Sequence, residues 1–227
     1  MLDTSVPNLA RAYDYLLGGG ANFAADRSMA VRLKELYPGA GELLSLSRTY
    51  RAGSLVTVAE AGVAQYIDVG SGLPTRPSTH EAVHATVPRA RVAYVDRDPA
   101  VTAHIASLVP SGARAFEGDL AEPEALLDAV GGFIDLTKPA CLILTMVLQV
   151  LEPATARAVA GVLIRALPPG SYVLITAGAG ERGRLPDAVS PGGFEAGDIA
   201  GFFAGLELLP PGLGQGPVLT GTGRKRG

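Results

Sequence analysis

Cysteine and long apolar runs are scarce in this sequence of 227 residues. Cys141 is the only cysteine, so no disulfide bond can form within the chain. Its apolar neighbours predict a buried, unreactive thiol. The longest apolar run, Ala140–Leu151, is shorter than the roughly 20 residues that a membrane-spanning helix needs. Met1–Ala10 has neither the basic region nor the apolar core of a signal peptide. We therefore expect a cytoplasmic protein that has no membrane partner.

Excess positive charge is also missing. The formal net charge is −3 at pH 7, and the pI is near 5.6. The basic residues 224–226 form only a short tail. Neither a basic patch nor a run of aromatic residues for stacking on bases is present, so we expect no nucleic-acid partner. A small-molecule substrate fits this composition best, and the sequence carries no signal for the oligomeric state.

What the sequence does have is a short apolar run that ends in a glycine turn. Tyr66–Val69 predicts a buried strand, and Gly70, Ser71 and Gly72 follow it. Glycine lacks a Cβ atom, so the chain can turn sharply here and a ligand can approach the backbone. Ligands of open α/β sheets lie outside the carboxyl ends of the strands. The turn therefore predicts a nucleotide-type site, and a glycine turn without a ligand is the alternative.

The residues beside this turn discriminate between cofactors. The dinucleotide fingerprint requires a third glycine, but that position is Thr75, which follows Pro74. The carboxylate of Asp68 would repel a pyrophosphate and attract a cation or an amine. S-adenosylmethionine carries both a sulfonium and an ammonium group. The local charge therefore favours S-adenosylmethionine over NAD.

Hydrophobic periodicity predicts an α/β fold with a parallel, doubly covered sheet. The predicted helices before the first strand are Pro7–Leu17, Ala24–Leu36 and Gly41–Ala61. The predicted strands are Gln65–Val69, Arg91–Val95, Ala113–Phe116, Ala140–Met146 and Tyr172–Thr176. The predicted helices between and after them are Thr79–Thr86, Pro99–Leu108, Pro123–Val130 and Ala154–Leu167. We interpret residues 1–62 as a helical cap or lid on an α/β domain of residues 63–227, the two forming one compact unit.

The C-terminal part has a different pattern. Gly178–Gly197 is rich in glycine and proline and predicts a loop. Asp198–Gly205 predicts a short helix with Asp198 as its N-cap. Glu207–Leu209 and Val218–Gly221 predict a closing antiparallel hairpin.

Acidic residues follow three of the predicted strands. Asp68, Asp96 and Asp119 each stand at a strand end, where parallel strands converge on one crevice. Asp96 is placed to hold a pair of ribose hydroxyls, with Arg97 beside it, although Asp98 could simply cap the next helix. Asp119, with the backbone N–H next to it, could hydrogen-bond an adenine edge.

His80 and His84 fit the H-E-x-x-H pattern of zinc peptidases. No third ligand is evident, and the pattern lies on the helix directly after the glycine turn. We therefore predict no metal site. His80 is expected near the ligand, and His84 on the helix surface.

Several segments resemble a family of bacterial S-adenosylmethionine-dependent methyltransferases that was long catalogued as a domain of unknown function. The specific part is the N-terminal motif of residues 6–19 with residues 22–27. The segments at 68–75, 80–81, 94–99 and 118–120 resemble motifs that class I methyltransferases share. The resemblance implies a seven-stranded Rossmann-like sheet with an antiparallel last strand, and S-adenosylmethionine as cofactor.

The resemblance also implies roles for individual residues. Asp68, Gly70 and Gly72 would lie along the methionine end of the cofactor. Asp96 would hold the ribose, and Asp119 with Leu120 the adenine. The implied lid residues are Tyr13, Tyr15, Gly18, Asn22 and Phe23. The complete set of predicted cofactor contacts is Tyr15, Asn22, Asp68, Gly70, Ser71, Gly72, Pro74, Thr75, His80, Asp96, Arg97, Asp119 and Leu120.

The chain departs from the family where the acceptor would bind. The family usually has Lys-Asp at positions 20–21, and histidines at the positions of Gln149 and Ala177. No catalytic residue is identified, although Tyr13, Tyr15 and Glu181 are candidate bases. A methyltransferase is the function we predict. A protein that binds S-adenosylmethionine without turnover is the first alternative, and an NAD-dependent oxidoreductase is the second.

Overall fold

The computed structural model describes residues 3–179 and 194–227, which form eight α-helices and seven strands. The strands are β1 (Gln65–Val69), β2 (Arg91–Asp96), β3 (Ala113–Glu117), β4 (Cys141–Thr145), β5 (Tyr172–Gly178), β6 (Leu206–Leu208) and β7 (Val218–Lys225). The helices are α1 (Leu9–Leu16), α2 (Ala24–Leu36), α3 (Ala40–Glu60), α4 (Thr79–His84), α5 (Pro99–Leu108), α6 (Pro123–Gly131), α7 (Pro153–Ala166) and α8 (Ala196–Phe202). A 3₁₀ turn, Leu148–Val150, follows β4.

All strands belong to one sheet with the order β3-β2-β1-β4-β5-β7-β6. β1 to β5 run parallel, and β7 is antiparallel to both of its neighbours. The predicted α/β class and the antiparallel last strand are therefore confirmed. Every residue of β1 is buried, because helices cover both faces of the sheet.

Local signals in the sequence start several of the helices. Ser78 and Glu81 form a reciprocal capping box at α4. The Asp98 side chain accepts a hydrogen bond from the Ala100 N–H at 2.8 Å and caps α5. Proline occupies the first turn of α5, α6 and α7, where no N–H partner is required. These signals explain why the predicted starts of these helices lie within one residue of those observed.

Two predictions in the C-terminal part need correction. Asp198 is not the N-cap of α8, because the helix begins at Ala196 and Asp198 closes the capping box with Glu195. β7 extends to Lys225, four residues beyond the predicted end at Gly221, because it pairs along all of β5 as well as with β6. Residues 180–193 of the predicted loop, which include the candidate base Glu181, lie outside the described residues.

The sheet separates two apolar clusters. Ile67 and Val69 of β1 pack with α6, α7 and α8 on one face. Tyr66 packs on the other face with Leu55 and Val58 of α3, among others. Cys141 is fully buried in this second cluster, and burial raises the pKa of its thiol. The prediction of a buried cysteine is confirmed.

Polar contacts join α3 to the sheet and α1 to α2. The hydroxyls of Ser47 on α3 and Thr176 on β5 are 2.6 Å apart in a buried hydrogen bond. Asp26 on α2 accepts hydrogen bonds from Arg11 Nε, from the Asn8 N–H and from the Phe23 N–H, each at 2.8 Å. The division between a cap of residues 1–62 and a domain of residues 63–227 stays a prediction.

Within residues 3–179 and 194–227, the helices are too short or too polar to cross a lipid bilayer. The cytoplasmic location stays a prediction.

Candidate functional site

A cavity of about 260 Å³ lies at the carboxyl ends of the parallel strands. Its walls come from the loops after β1, β2, β3 and β4, from α3, and from α1 with the residues just before it. The predicted cofactor contacts in this wall are Gly70, Ser71, Gly72, Asp96, Arg97, Asp119 and Leu120. Three neighbouring strands thus contribute to one crevice, as parallel strand ends in an open sheet are expected to do.

The glycine turn after β1 forms the centre of the wall. Gly70 has φ +61° and Gly72 has φ +60°, a backbone region that side chains with a Cβ rarely adopt. Gly70 also lies against Val147 after β4, where an added Cβ would come within 2.1 Å of the Val147 Cγ2. Gly72 has no such neighbour, because the nearest atom to its added Cβ is the Ala10 Cβ at 3.6 Å. The backbone at Gly72 is therefore open to the cavity.

Asp96 lies at the end of β2 and is 8% exposed. Its Oδ2 accepts a hydrogen bond from the Gly72 N–H at 2.9 Å, and its Oδ1 accepts one from the Asp98 N–H at 3.1 Å. Burial raises the pKa of Asp96, although these two N–H donors oppose the shift. Each carboxylate oxygen has further lone pairs, so the group can also accept hydrogen bonds from hydroxyls in the cavity.

The N-terminal segment closes the cavity next to Asp96. Asn8 caps α1, since its side chain accepts a hydrogen bond from the Arg11 N–H at 3.1 Å. The Asn8 side chain also donates a hydrogen bond to Asp98 Oδ2. Asp98 in turn caps α5. One contact therefore joins the N-terminal ends of two helices across the mouth of the cavity.

Asp119 and Leu120 occupy the end of the cavity beside β3. Asp119 Oδ1 accepts a hydrogen bond from the Ala121 N–H at 2.9 Å, which fixes the carboxylate at the start of the loop. Leu120 is buried in the core with Leu126 behind it. Arg97 is exposed at the rim of the cavity. An acid next to an apolar surface suits a flat heterocycle with polar edges.

Asp68 lies behind the cavity wall rather than in it, and its predicted contact with the cofactor stays a prediction. The residue is fully buried, accepts a hydrogen bond from the Thr79 hydroxyl at 2.5 Å, and lies 3.5 Å from Arg51 NH1. Burial raises the pKa of Asp68, and the charge of Arg51 opposes that shift. Its Oδ1 has no hydrogen-bond partner among the described residues. Asp68 is placed to act on the cavity through Arg51, which lines the wall.

The other predicted contacts also lie outside the cavity wall. Tyr15 is 37% exposed on α1, because it lies on the face of the helix away from Tyr13. The Asn22 side chain donates to Asp14 Oδ2 at 2.9 Å and thereby holds the loop after α1. Pro74 and Thr75 follow the glycine turn after β1 and do not line the cavity. The Thr75 hydroxyl has no hydrogen-bond partner among the described residues.

The histidines of the H-E-x-x-H pattern contact other parts of the protein. His80 Nδ1 lies 2.9 Å from the hydroxyl of Tyr94, and His84 Nε2 lies 2.9 Å from the Ala90 carbonyl oxygen. Among the described residues, no group of three or more His, Cys, Asp or Glu side chains could hold a metal ion. His80 is thus a contact of β2 rather than of the cavity.

Sequence reasoning missed the part of the wall that α3 contributes. Ser47, Arg48 and Arg51 line the cavity, three polar residues on one side of a helix. Burial, followed by the charge of Arg51, lowers the pKa of Arg48 to about 10. The signal that could have found them is the spacing of two arginines by three residues in a segment already predicted as a helix.

The end of β4 supplies the remaining wall. Thr145 and Met146 line the cavity, and Met146 has φ +55° although it is not a glycine. Opposite them, the hydroxyl of Tyr13 on α1 hydrogen-bonds the side chain of Gln149. Burial raises the pKa of Tyr13, and this hydrogen bond opposes the shift. Tyr13 is the implied lid residue that the structure does bring into the site.

These residues fit S-adenosylmethionine. Gly72 leaves the backbone open, Asp96 offers a carboxylate for vicinal hydroxyls, and Asp119 lies next to an apolar surface. The unpaired Asp68 Oδ1 adds negative charge near the end of β1, where a cationic group would be stabilised. The adenosine part of the cofactor thus finds matching groups along one cavity, and Asp68 lies behind the β1 end of its wall.

Comparisons with known proteins identify the family. The profile of a family described as S-adenosyl methyltransferase matches residues 1–219. A protein from Thermobifida fusca YX that is assigned as a methyltransferase is 33% identical, with a TM-score of 0.89 over 99% of this chain and 97% of that one. A DUF574 family protein from Streptomyces avermitilis MA-4680 is 26% identical, with a TM-score of 0.89 over 98% and 99% of the two chains.

A more distant neighbour shares the fold. The N-methyltransferase NodS from Bradyrhizobium japonicum WM9, in complex with S-adenosyl-L-homocysteine, is 14% identical with a TM-score of 0.54 over 95% of this chain and 98% of that one. No curated protein is significantly similar in sequence. The family match favours the methyltransferase prediction over the NAD-dependent oxidoreductase. The chain belongs to the S-adenosyl methyltransferase family, and S-adenosylmethionine is its cofactor.

Proposed function

We propose that the protein transfers the methyl group of S-adenosylmethionine to a small-molecule acceptor, with Asp96 holding the ribose and Asp119 the adenine. The observation that carries this proposal is Asp96: a buried carboxylate in the cavity wall, oriented by two backbone N–H groups. The net charge of −3 and the short basic tail disfavour a nucleic-acid acceptor.

The residues of the cavity orient the reactants. S-adenosylmethionine supplies a methyl group already activated by its sulfonium charge, so the protein contributes mainly proximity and orientation. Asp96 accepts hydrogen bonds from the two ribose hydroxyls, and Gly72 lets the cofactor approach the backbone. Asp119 accepts a hydrogen bond from the exocyclic amine of adenine, with Leu120 against the ring.

The acceptor belongs at the β4 end of the cavity, beside Tyr13, Thr145 and Met146. Gln149 is an amide and takes no proton, and Tyr13 stays protonated at neutral pH because burial raises its pKa. Tyr13 therefore orients the acceptor by hydrogen bonding, and Gln149 holds the Tyr13 hydroxyl. An acceptor that reacts as an amine or arrives as an anion suits this end best.

Thermal unfolding with and without S-adenosylmethionine tests the cofactor site. A ligand at about 100 times its dissociation constant adds roughly 2.7 kcal/mol, which corresponds to a midpoint rise of about 5–10 °C for a domain of this size. We expect Asp96→Ala to abolish the rise. The matched control is Asp128→Ala at an exposed position of α6, which should keep it.

Turnover is tested with methyl-labelled S-adenosylmethionine and a panel of amines, phenols and thiols. The proposal is supported if label is transferred to one compound of the panel and if Asp96→Ala abolishes this transfer. A folded protein whose midpoint responds to neither the cofactor nor S-adenosylhomocysteine would contradict it. Binding without transfer across the panel would instead support the binding protein without turnover.

A further inference from the structure

Two arginines on α3 line the cavity, and they differ in their hydrogen-bond partners. Arg51 is buried, and its guanidinium lies 3.2 Å from the Thr79 hydroxyl, 3.2 Å from the Pro77 carbonyl and 3.5 Å from Asp68 Oδ2. Arg48, one helical turn earlier, makes no hydrogen bond or ion pair with any residue that the structure describes. One arginine is therefore committed to the protein, and the other faces the cavity with its donors available.

A half-buried guanidinium without an acceptor is unfavourable, because it has lost water without gaining a partner. The neighbouring positive charge of Arg51 adds to the cost, and the negative charges of Asp68 and Asp14 offset part of it without a hydrogen bond or ion pair to Arg48. An anion in the cavity would accept hydrogen bonds from Arg48 and reduce both penalties. A carboxylate is the best match, since its two oxygens accept the parallel N–H groups of guanidinium.

The position of Arg48 along the sheet indicates which part of a ligand it meets. The strands β3, β2 and β1 are neighbours in that order. Asp119 follows β3, Asp96 follows β2, and the glycine turn follows β1. Arg51 contacts Asp68 on β1, and Ser47 contacts Thr176 on β5. Arg48 lies between Ser47 and Arg51 on α3, and so close to β4, the strand between β1 and β5. A ligand with adenine at β3 and ribose at β2 would place its amino-acid end there.

We propose that Arg48 binds the α-carboxylate of the cofactor, an inference that rests on the proposed function. An acceptor that carries a carboxylate would present the same chemistry, so the test must separate the two sources. The charge of Arg48 then serves to select ligands with an intact amino-acid end, in which the carboxylate lies beside the ammonium group.

The test compares two ligands that differ only in this carboxylate. S-adenosylhomocysteine has it, and S-adenosyl-3-thiopropylamine lacks it. Isothermal titration calorimetry measures both affinities in the wild-type protein and in Arg48→Gln. We expect Arg48→Gln to lower the affinity for S-adenosylhomocysteine about 10- to 100-fold, the range for hydrogen bonds to a charged group. The affinity for S-adenosyl-3-thiopropylamine should change less than about 2-fold.

Two further variants sharpen the result. Arg48→Lys keeps the charge but loses the paired donors, so its affinity for S-adenosylhomocysteine should fall between those of the wild type and Arg48→Gln. Arg32→Gln, at an exposed position of α2, is the matched control and should leave both affinities unchanged. Retained binding of the ligand without carboxylate shows that Arg48→Gln is folded.

The outcomes are distinct. An equal loss for both ligands, or no loss for either, would overturn the assignment to the cofactor carboxylate, and the second result would leave an acceptor as the source. A wild-type protein that binds neither ligand would instead contradict the proposed function. A loss confined to S-adenosylhomocysteine supports the inference, because only that ligand offers Arg48 a carboxylate.

Discussion

At the residue scale, Gly70 and Gly72 show that two similar glycines are needed for different reasons. Both have φ near +60°, so a side chain at either position strains the backbone. Only Gly70 is also packed, because Val147 fills the space that a Cβ would need. The glycine turn therefore holds the end of β4 at one position and opens the cavity at the other.

Because of this difference, alanine substitutions at the two glycines should lower the free energy of unfolding by different amounts. Gly72→Ala should lower the free energy of unfolding by about 1 kcal/mol through backbone strain, and Gly70→Ala by about 3 kcal/mol through strain and overpacking. Urea denaturation measures both. In the Gly70→Ala background, Val147→Ala should cost less than it does alone, because it removes the overlap. Equal costs for the two glycines would show that packing against Val147 does not matter.

Asp26 is a second residue whose environment has a measurable effect, here on the pKa of its carboxyl group. It is fully buried and accepts three hydrogen bonds, one of them from Arg11. Burial by itself would raise the pKa of Asp26, but Arg11 and the N–H groups of Asn8 and Phe23 outweigh burial and hold the pKa below its ordinary value of 3.8. The ionised form therefore stabilises the N-terminal helices.

We predict that Asp26→Asn lowers the free energy of unfolding by about 3 kcal/mol at neutral pH, because it leaves Arg11 buried without its partner. The folded pKa is depressed, so the ionised group's contribution is present above pH 3.8 and is lost as the pH falls through the folded pKa. Urea denaturation across acidic pH should thus show less pH dependence in Asp26→Asn. Asp128→Asn, at an exposed position, should match the wild type within about 0.5 kcal/mol.

At the scale of elements, α8 and β7 explain the glycines near the end of the sequence. Phe203, directly after α8, lies on β7 where Gly221 and Gly223 leave the surface flat. An added Cβ would come within 2.5 Å of the Phe203 ring at Gly221 and 2.8 Å at Gly223. The glycines therefore let an aromatic side chain cover the antiparallel strand.

Two glycine-to-alanine substitutions in different elements should have opposite signs. Gly221→Ala should lower the free energy of unfolding by about 1–3 kcal/mol, because Phe203 must move. Gly53→Ala, exposed in the middle of α3 with open space around it, should raise it by up to about 1 kcal/mol. Thermal or urea unfolding measures both, and a cost at Gly53 would show that α3 is constrained there by more than helix propensity.

At the scale of the whole molecule, the cavity lies between the sheet and the N-terminal helices. Polar contacts cross this boundary on both sides of the cavity: Asn8 to Asp98 at the ribose side, and Ser47 to Thr176 at the β5 side, while Arg51 contacts Asp68 on β1. A ligand in the cavity would touch both parts. We therefore propose that residues 1–62, and α1 in particular, act as a lid whose stability depends on the cofactor.

Hydrogen exchange tests this coupling. S-adenosylhomocysteine should slow the exchange of α1 amides that open locally, and should have a smaller effect on α7, which lies on the opposite face of the sheet. Asn8→Ala removes the N-cap of α1 and the contact to Asp98, so α1 should exchange faster in the unliganded protein. Equal slowing of α1 and α7 would indicate global stabilisation and would contradict a lid.

The sequence by itself determined the order and nature of the elements, because periodicity, glycine turns and helix caps are local signals. It also placed Asp96 and Asp119 in one crevice, since ends of neighbouring parallel strands converge. The same argument did not foresee that Asp68 lies behind the cavity wall. A strand alternates its side chains between the two faces of the sheet, and Asp68 packs under α3 instead of entering the cavity.

Only the tertiary structure decided which polar residues of the helices reach the site. The sequence predicts that residues 41–61 form a helix, but the packing of Leu55 and Val58 on the sheet sets the rotation that turns Arg48 toward the cavity. In the same way, the contact of α1 with the end of β4 brings in Tyr13 and leaves Tyr15 outside. Local signals define an element, whereas its orientation depends on contacts between residues far apart in the chain.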